Sequence, residues 1–252
     1  MIKEYVYDAS LSKDYGKLVI FSPEKGKENG KVLIYFHGGG LEAGSMYDQD
    51  KTYEILVNEG ITVSSPNYRI YPDAKFPEFL QDSAKAVAET LKILKSEINI
   101  KEVYIGGISA GSYISMMLHF DKRFLEKEGV DESLIKGYIF DAGQPTTHYN
   151  VLRERGVDTR TIRVDEAAPV FFCDETYKIN SDQKYKFFIA ENDFPGRKAQ
   201  NEMLMKAMTN FGVKESAIDY EEVPGYGHAD YTDSHDEKAY KLYAGRLLSF
   251  IK

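Results

Sequence analysis

Glu102-Val103-Tyr104-Ile105-Gly106 runs without a break into Gly107-Ile108-Ser109-Ala110-Gly111, and from there into Ser112-Tyr113-Ile114-Ser115-Met116-Met117-Leu118. The first stretch reads as a buried strand and the last as a helix. The pentapeptide between them fits G-x-S-x-G, the pattern of a nucleophile elbow, in which a sharp strand-to-helix turn lifts a serine hydroxyl out of a sheet. The glycines are demanded by a turn that brings backbone against backbone, where a Cβ would clash. An inert Gly/Ser-rich turn would share the letters, but the strand before and the helix after favour the elbow. The helix start also aims its N–H groups at developing negative charge.

Working outward, strand-like runs alternate with helical ones. Lys17–Ser22, Lys31–Phe36, Ile61–Ser65, Gly137–Asp141 and Tyr185–Ala190 read as further buried strands, and Ala217–Val223 alternates as a strand near a sheet edge does. Helices are predicted over Tyr47–Asn58, Glu78–Ile98, Ala110–Phe120, Arg197–Phe211 and Asp236–Ile251. In the second of these, Ala84, Val87, Leu91 and Leu94 form one apolar stripe. Continuous apolar strands separated by helices imply a mostly parallel sheet of about eight strands covered on both faces, an α/β fold in one domain over 1–252. Chemistry is then expected at the carboxyl ends of the strands.

His37-Gly38-Gly39-Gly40 follows one such strand. Its glycines leave N–H groups unobstructed, and Gly39, Gly40 and Ala110 are the candidate oxyanion-hole donors. No G-x-x-x-x-G-K-[ST] or G-x-G-x-x-G pattern supports a phosphate cradle instead. A serine nucleophile needs a base, and the chain has five histidines. His37 belongs to the glycine loop, His119 closes the helix after the elbow, and His148 and His235 sit in polar segments. His228 follows a strand and the turn Pro224-Gly225-Tyr226-Gly227, which makes it the favoured base, with His235 next. For the carboxylate that orients the base, Asp193 follows the strand Tyr185–Ala190 and is favoured over Asp141, at the end of Gly137–Asp141, and over its neighbour Glu191.

Composition narrows the partners. The 252 residues carry 40 acidic and 32 basic side chains, a net charge of −8, which argues against a nucleic-acid partner and against anionic membranes. Cys173 is the single cysteine, so no intrachain disulfide and no cysteine-based metal cluster is expected, and it reads as a small buried hydrophobe. The first residues lack the pattern of a signal peptide, and no apolar run is long enough to span a membrane. A cytoplasmic protein with a small-molecule substrate is the expectation.

With these residues in view, the chain resembles α/β-hydrolase carboxylesterases of the hormone-sensitive-lipase-like and bacterial feruloyl-esterase-like group. Asn67-Tyr68-Arg69-Ile70-Tyr71-Pro72-Asp73-Ala74-Lys75-Phe76-Pro77 with Asp82 is similar to that group's Y-R-L-x-P-E-x-x-F-P segment and its following Asp. Ile189–Asp193 resembles the acid-bearing strand end, and Val223–His228 the histidine loop. Two departures stand out: Ile108 occupies a place where lipase-like members carry Asp, and Gly40-Leu41 replaces the aromatic pair of formamidase-like members. The resemblance implies that the Tyr68-Arg69 segment is structural and that no metal or organic cofactor is needed. It also implies that a small cap is inserted over 144–169.

That insertion carries Arg153, Arg155, Arg160 and Arg163 with Glu154, Asp158, Asp165 and Glu166. An anion-selective lid and a solvated face of paired charges are both readings of it, the second favoured. The activity expected is hydrolysis of short-chain acyl esters, an acetylated sugar or a small aromatic ester, by a serine carboxylesterase using Ser109, Asp193 and His228. Amide cleavage of the arylformamidase type and an inactive binding protein on the same scaffold are the alternatives.

Overall fold

Lys31–Phe36 buries five consecutive residues, which a strand does only when both faces of its sheet are covered. Every second side chain goes to one face: Val32, Ile34 and Phe36 pack into one apolar cluster, Leu33 and Tyr35 into another on the far side. The computed structural model describes residues 1–174 and 182–252 and shows how the other elements complete this arrangement.

Eight strands form one sheet: β1 (Ile2–Val6), β2 (Lys17–Phe21), β3 (Lys31–Phe36), β4 (Thr62–Pro66), β5 (Glu102–Ile108), β6 (Ile135–Asp141), β7 (Lys184–Asn192) and β8 (Ile218–Gly227). Their order is β1-β2-β4-β3-β5-β6-β7-β8. The pairs β1–β2 and β2–β4 are antiparallel, and every later pair is parallel. The helices are α1 (Asp50–Asn58), α2 (Glu78–Lys95), α3 (Ala110–Phe120), α4 (Arg123–Lys127), α5 (Tyr149–Glu154), α6 (Arg197–Asn210) and α7 (Glu237–Ile251). Helices α2 and α3 contribute Val87, Leu91, Tyr113 and Ile114 to the first cluster, whereas α1 and α7 give Tyr53, Leu56, Tyr243 and Leu247 to the second. The fold class expected from the sequence is the one observed.

Several boundaries differ. Strand β1 was not expected, because its side chains are almost all exposed and carry no burial pattern to read. Strand β5 continues past Gly106 to Ile108, pairing both glycines with β6. Helix α1 starts at Asp50 rather than Tyr47, and α2 ends at Lys95 rather than Ile98. The alternating strand is indeed at the sheet edge, as β8, and it runs on to Gly227. That extension carries the chain to the position of His228.

No helix among the described residues is long and apolar enough to cross a membrane. Cys173 is buried, and burial pushes its thiol up to about 12, so it is a packing residue rather than a thiolate at neutral pH.

Candidate active site

Strand β5 ends at Ile108 and α3 begins at Ala110, leaving a single residue, Ser109, to make the turn. It does so at φ 54 and ψ −112, a conformation that side-chain-bearing residues seldom adopt. Its N–H is held by the Asp141 carbonyl at 2.8 Å. Both flanking glycines are sterically required: a Cβ at Gly107 would overlap the Gly111 backbone, and one at Gly111 would overlap the Phe36 carbonyl. The strained serine is thereby fixed between two closely packed strands and the start of a helix.

The strand ends bring the other candidates to it. His228 Nε2 lies 2.8 Å from Ser109 Oγ, and His228 Nδ1 lies 2.7 Å from Asp193 Oδ1. A carboxylate can only accept, so Nδ1 carries a hydrogen and Nε2 is left free to accept the serine proton. Asp193 is further fixed by the Phe194 N–H, 2.7 Å from its Oδ1. Phe194 stacks on the His228 ring with centroids 4.1 Å apart, covering one face of the imidazole.

The remaining candidates lie elsewhere. Asp141 is wholly buried and accepts from the Tyr231 hydroxyl rather than from a histidine. Burial raises its pKa from 3.8 to about 7. Glu191 accepts from the Gly225 N–H at 2.7 Å, and His235 is exposed. His119 is enclosed by Phe120, Tyr138 and Tyr185, and burial drives it well below the ordinary histidine range.

His37 is buried and kept neutral by desolvation. Its Nδ1–H donates to the Gly38 carbonyl at 2.8 Å, and its ring stacks on Tyr68 at 4.3 Å. The Tyr68 hydroxyl donates to the His37 carbonyl at 2.9 Å. Arg69 in turn grips Asp82 through Nε at 2.8 Å and Nη2 at 2.9 Å, so the Tyr68-Arg69 segment braces the glycine loop. Gly39 and Gly40 have φ of +98 and +64. A Cβ at Gly40 would overlap the Tyr149 hydroxyl, and Asn150 Nδ2 holds the Gly40 carbonyl at 2.9 Å. The N–H groups of Gly39, Gly40 and Ala110 have no acceptor among the described residues. They remain available to an incoming oxyanion.

A cavity of about 380 Å³ opens over this group. Gly38, Gly39, Gly40, Ser109 and His228 line it with Ile108, Tyr149, Phe194, Asp48, Gln49, Ala229 and Thr232. A wider cleft of about 790 Å³ shares Asp48, Gln49, His228, Ala229 and Thr232 and continues past Asp230, Asp233 and Asp236. Sequence patterns pointed to neither Tyr149, at the start of the short helix α5, nor Phe194, on the connection after β7, because neither belongs to a motif.

The segment 144–169 contributes α5, whose inward residues Asn150, Val151 and Leu152 are buried. Its arginines are paired: Arg153 with Glu42, Arg155 with Asp165 and Glu166, Arg160 with Asp158, and Arg163 with Asp165. The paired-charge reading of this stretch matches these contacts. Arg197 is different. It begins α6, four residues after Asp193, is 7% exposed, and has no hydrogen bond or ion pair from its guanidinium among the described residues. No sequence motif singled it out.

Comparison with known proteins agrees with this architecture. The BD-FAE family model matches residues 18–140. An arylesterase of Saccharolobus solfataricus is 38% identical over 95 residues, which make up 36% of this chain and 30% of that protein. A FAD-linked oxidoreductase, pytB, of Aspergillus terreus is 32% identical over 97 residues, 38% of this chain but only 12% of its own length. The chain therefore spans less than a third of either relative. A kynurenine formamidase of Danio rerio is 23% identical over 208 residues, 82% of this chain and 69% of that one. Among solved structures, esterase B of Lactobacillus rhamnosis superposes with a TM-score of 0.78 at 15% identity, covering 99% of this chain and 85% of its own. The α/β-hydrolase fold is established, and the resemblance to the feruloyl-esterase-like group holds.

Proposed function

We propose that this α/β-hydrolase cleaves carboxylic esters through an acyl-enzyme on Ser109. The observation that carries the reading is the Ser109–His228–Asp193 hydrogen-bonded chain set beside unpaired backbone N–H groups. Ser109 Oγ attacks the ester carbonyl as His228 Nε2 takes its proton, and Asp193 holds the ring in that tautomer and stabilises the imidazolium. The N–H groups of Gly39, Gly40 and Ala110 receive the oxyanion. Each such donor is worth about 10²–10³ in kcat, because it is aimed in advance at charge that develops only in the transition state. His228 returns the proton to the leaving alcohol, and water reverses the sequence to release the acid.

The substrate class follows from the cavity. Among the described residues its aliphatic linings are Ile108 and Ala229 alone, and its rim is polar, which supports a short-chain or small aromatic ester. The chain's net charge of −8 supports a small molecule rather than a nucleic acid as partner, and the reading takes the enzyme to be cytoplasmic. The test is turnover of p-nitrophenyl acetate by the protein and by Ser109→Ala. The variant is expected to fold and to lose roughly 10⁴–10⁶ in kcat. Retention of more than a few per cent of activity by a folded variant would exclude Ser109 as nucleophile.

Amide cleavage by the same groups is the second reading, favoured by the relation to a formamidase over 82% of the chain. A formanilide turned over faster than phenyl acetate would select it.

A further inference from the structure

The chain has eight arginines, and seven of them have a carboxylate oxygen within 3.0 Å. Arg197 is the exception, and it is also among the most buried, at 7% exposure. A buried guanidinium without a partner is costly, because its hydration is lost and nothing replaces it. Folds retain such a group where a ligand supplies the missing acceptor. The position of Arg197 says which site that ligand would occupy. Its backbone N–H is held by the carbonyl of Phe194 at 3.0 Å, and Phe194 lines the Ser109 cavity together with Tyr149. Its charge also reaches Tyr149, His148 and Asp193. Asp193 is already engaged by His228 and by the Phe194 N–H.

Two further donors point the same way. His148 Nδ1 accepts from the Asn150 N–H at 3.2 Å, so Nε2 carries the hydrogen, and that hydrogen has no acceptor among the described residues. The Tyr149 hydroxyl, packed against Gly40, makes no hydrogen bond among them either. The rings of His148 and Tyr149 lie 4.4 Å apart. Of these three donors without an acceptor among the described residues, the Tyr149 hydroxyl lines the cavity at its Tyr149–Phe194 end, and His148 packs behind it; the nearby Glu42 carboxylate is paired with Arg153. The other end, at Asp48 and Thr232, opens into the cleft of Asp230, Asp233 and Asp236, so one end suits an anion and the other does not.

We propose that Arg197, with His148 Nε2–H and the Tyr149 hydroxyl, forms a carboxylate-binding subsite of the Ser109 cavity, so that the preferred ester carries one carboxylate. The proposal rests on the ester-hydrolase reading for its substrate and not for its binding chemistry. The planar guanidinium matches a carboxylate in a two-pronged grip, and a charged hydrogen bond of this kind corresponds to roughly tenfold to a hundredfold in discrimination.

The experiment compares the p-nitrophenyl monoester of glutarate with its neutral counterpart, p-nitrophenyl valerate, in the protein, Arg197→Gln and Arg197→Lys. The ratio of kcat/KM for the charged ester to that for the neutral one is expected to fall at least tenfold in Arg197→Gln and to recover in part in Arg197→Lys. A ratio unchanged within twofold, even if both rates drop, overturns the subsite. Calorimetric binding of glutarate and of valeramide to the unaltered protein decides independently of whether the variants fold. Glutarate binding at least tenfold tighter than valeramide supports the subsite, and equal affinity overturns it. Binding of glutarate that depends on Arg197, with no ester turned over, would retain the subsite and remove the ester-hydrolase reading. Ser109-dependent turnover of valerate without charge preference would do the reverse.

Discussion

Asp141 ends β6 with its carboxyl group wholly buried, against Tyr231 of the loop that carries His228 and near Tyr35 and Tyr243. Burial, with the like charge of Asp193 adding to it, raises its pKa from 3.8 to about 7, the Tyr231 hydrogen bond opposing the rise only in part. The folded state therefore holds a proton that the unfolded chain has released. Stability from this group is complete below pH 3.8 and is lost as the pH rises through about 7. A rise of about three pH units at about 1.4 kcal/mol each gives roughly 4 kcal/mol lost between pH 4 and pH 8. Asparagine at this position has a similar shape and cannot ionise. Urea unfolding of the protein and of Asp141→Asn at half-unit intervals across that range isolates the effect from every other titrating group. The stability of the parent relative to the variant is expected to fall by roughly 4 kcal/mol with rising pH, most steeply between about pH 4.5 and 6.5 and levelling off above about pH 7. A difference between the two that stays constant within about 1 kcal/mol, or that grows with pH, would refute the argument.

The same pair of carboxylates separates in catalysis. Asp193→Asn strands His228 in the wrong tautomer and is expected to lower kcat about 10⁴-fold, whereas Asp141→Asn, which touches no histidine, is expected to cost far less; side-by-side ester kinetics check the order. Gly111→Ala puts a Cβ into the Phe36 carbonyl and is expected to lose well over 1 kcal/mol of stability as well as activity, read by thermal melting, because backbone cannot move aside as a side chain can. Among neutral p-nitrophenyl esters, acetate to butyrate should be hydrolysed faster than octanoate. Each buried methylene is worth about 0.8 kcal/mol only where an apolar wall receives it, and Ile108 and Ala229 offer little; kcat/KM that keeps climbing to octanoate would contradict this.

Much of this site was legible in the chain because the fold places its chemistry at strand ends, and strand ends can be read locally. Ser109 sits where an apolar run meets two glycines and a helix, and each of those signals lies within a few residues of it. His228 and Asp193 follow their strands in the same way, so the sequence alone pointed to all three members of the hydrogen-bonded chain and to the glycine loop. The choice of Asp193 over Asp141 was weaker, since both residues end parallel strands. It turns on which carboxylate meets the His228 ring, a distance across 35 residues in one case and 87 in the other, and only packing brings Tyr231 rather than His228 onto Asp141.

What tertiary structure alone decided concerns partners and vacancies. The arginine-rich segment 144–169 advertises charge in the sequence, yet each of its arginines is paired with a carboxylate in space. Arg197 looks in the sequence like an ordinary residue at a helix start, and among the described residues its guanidinium alone has no carboxylate partner. Local pattern records which groups a chain owns and which elements carry them. Whether a charge is satisfied depends on neighbours far away along the chain, and no period or motif encodes that.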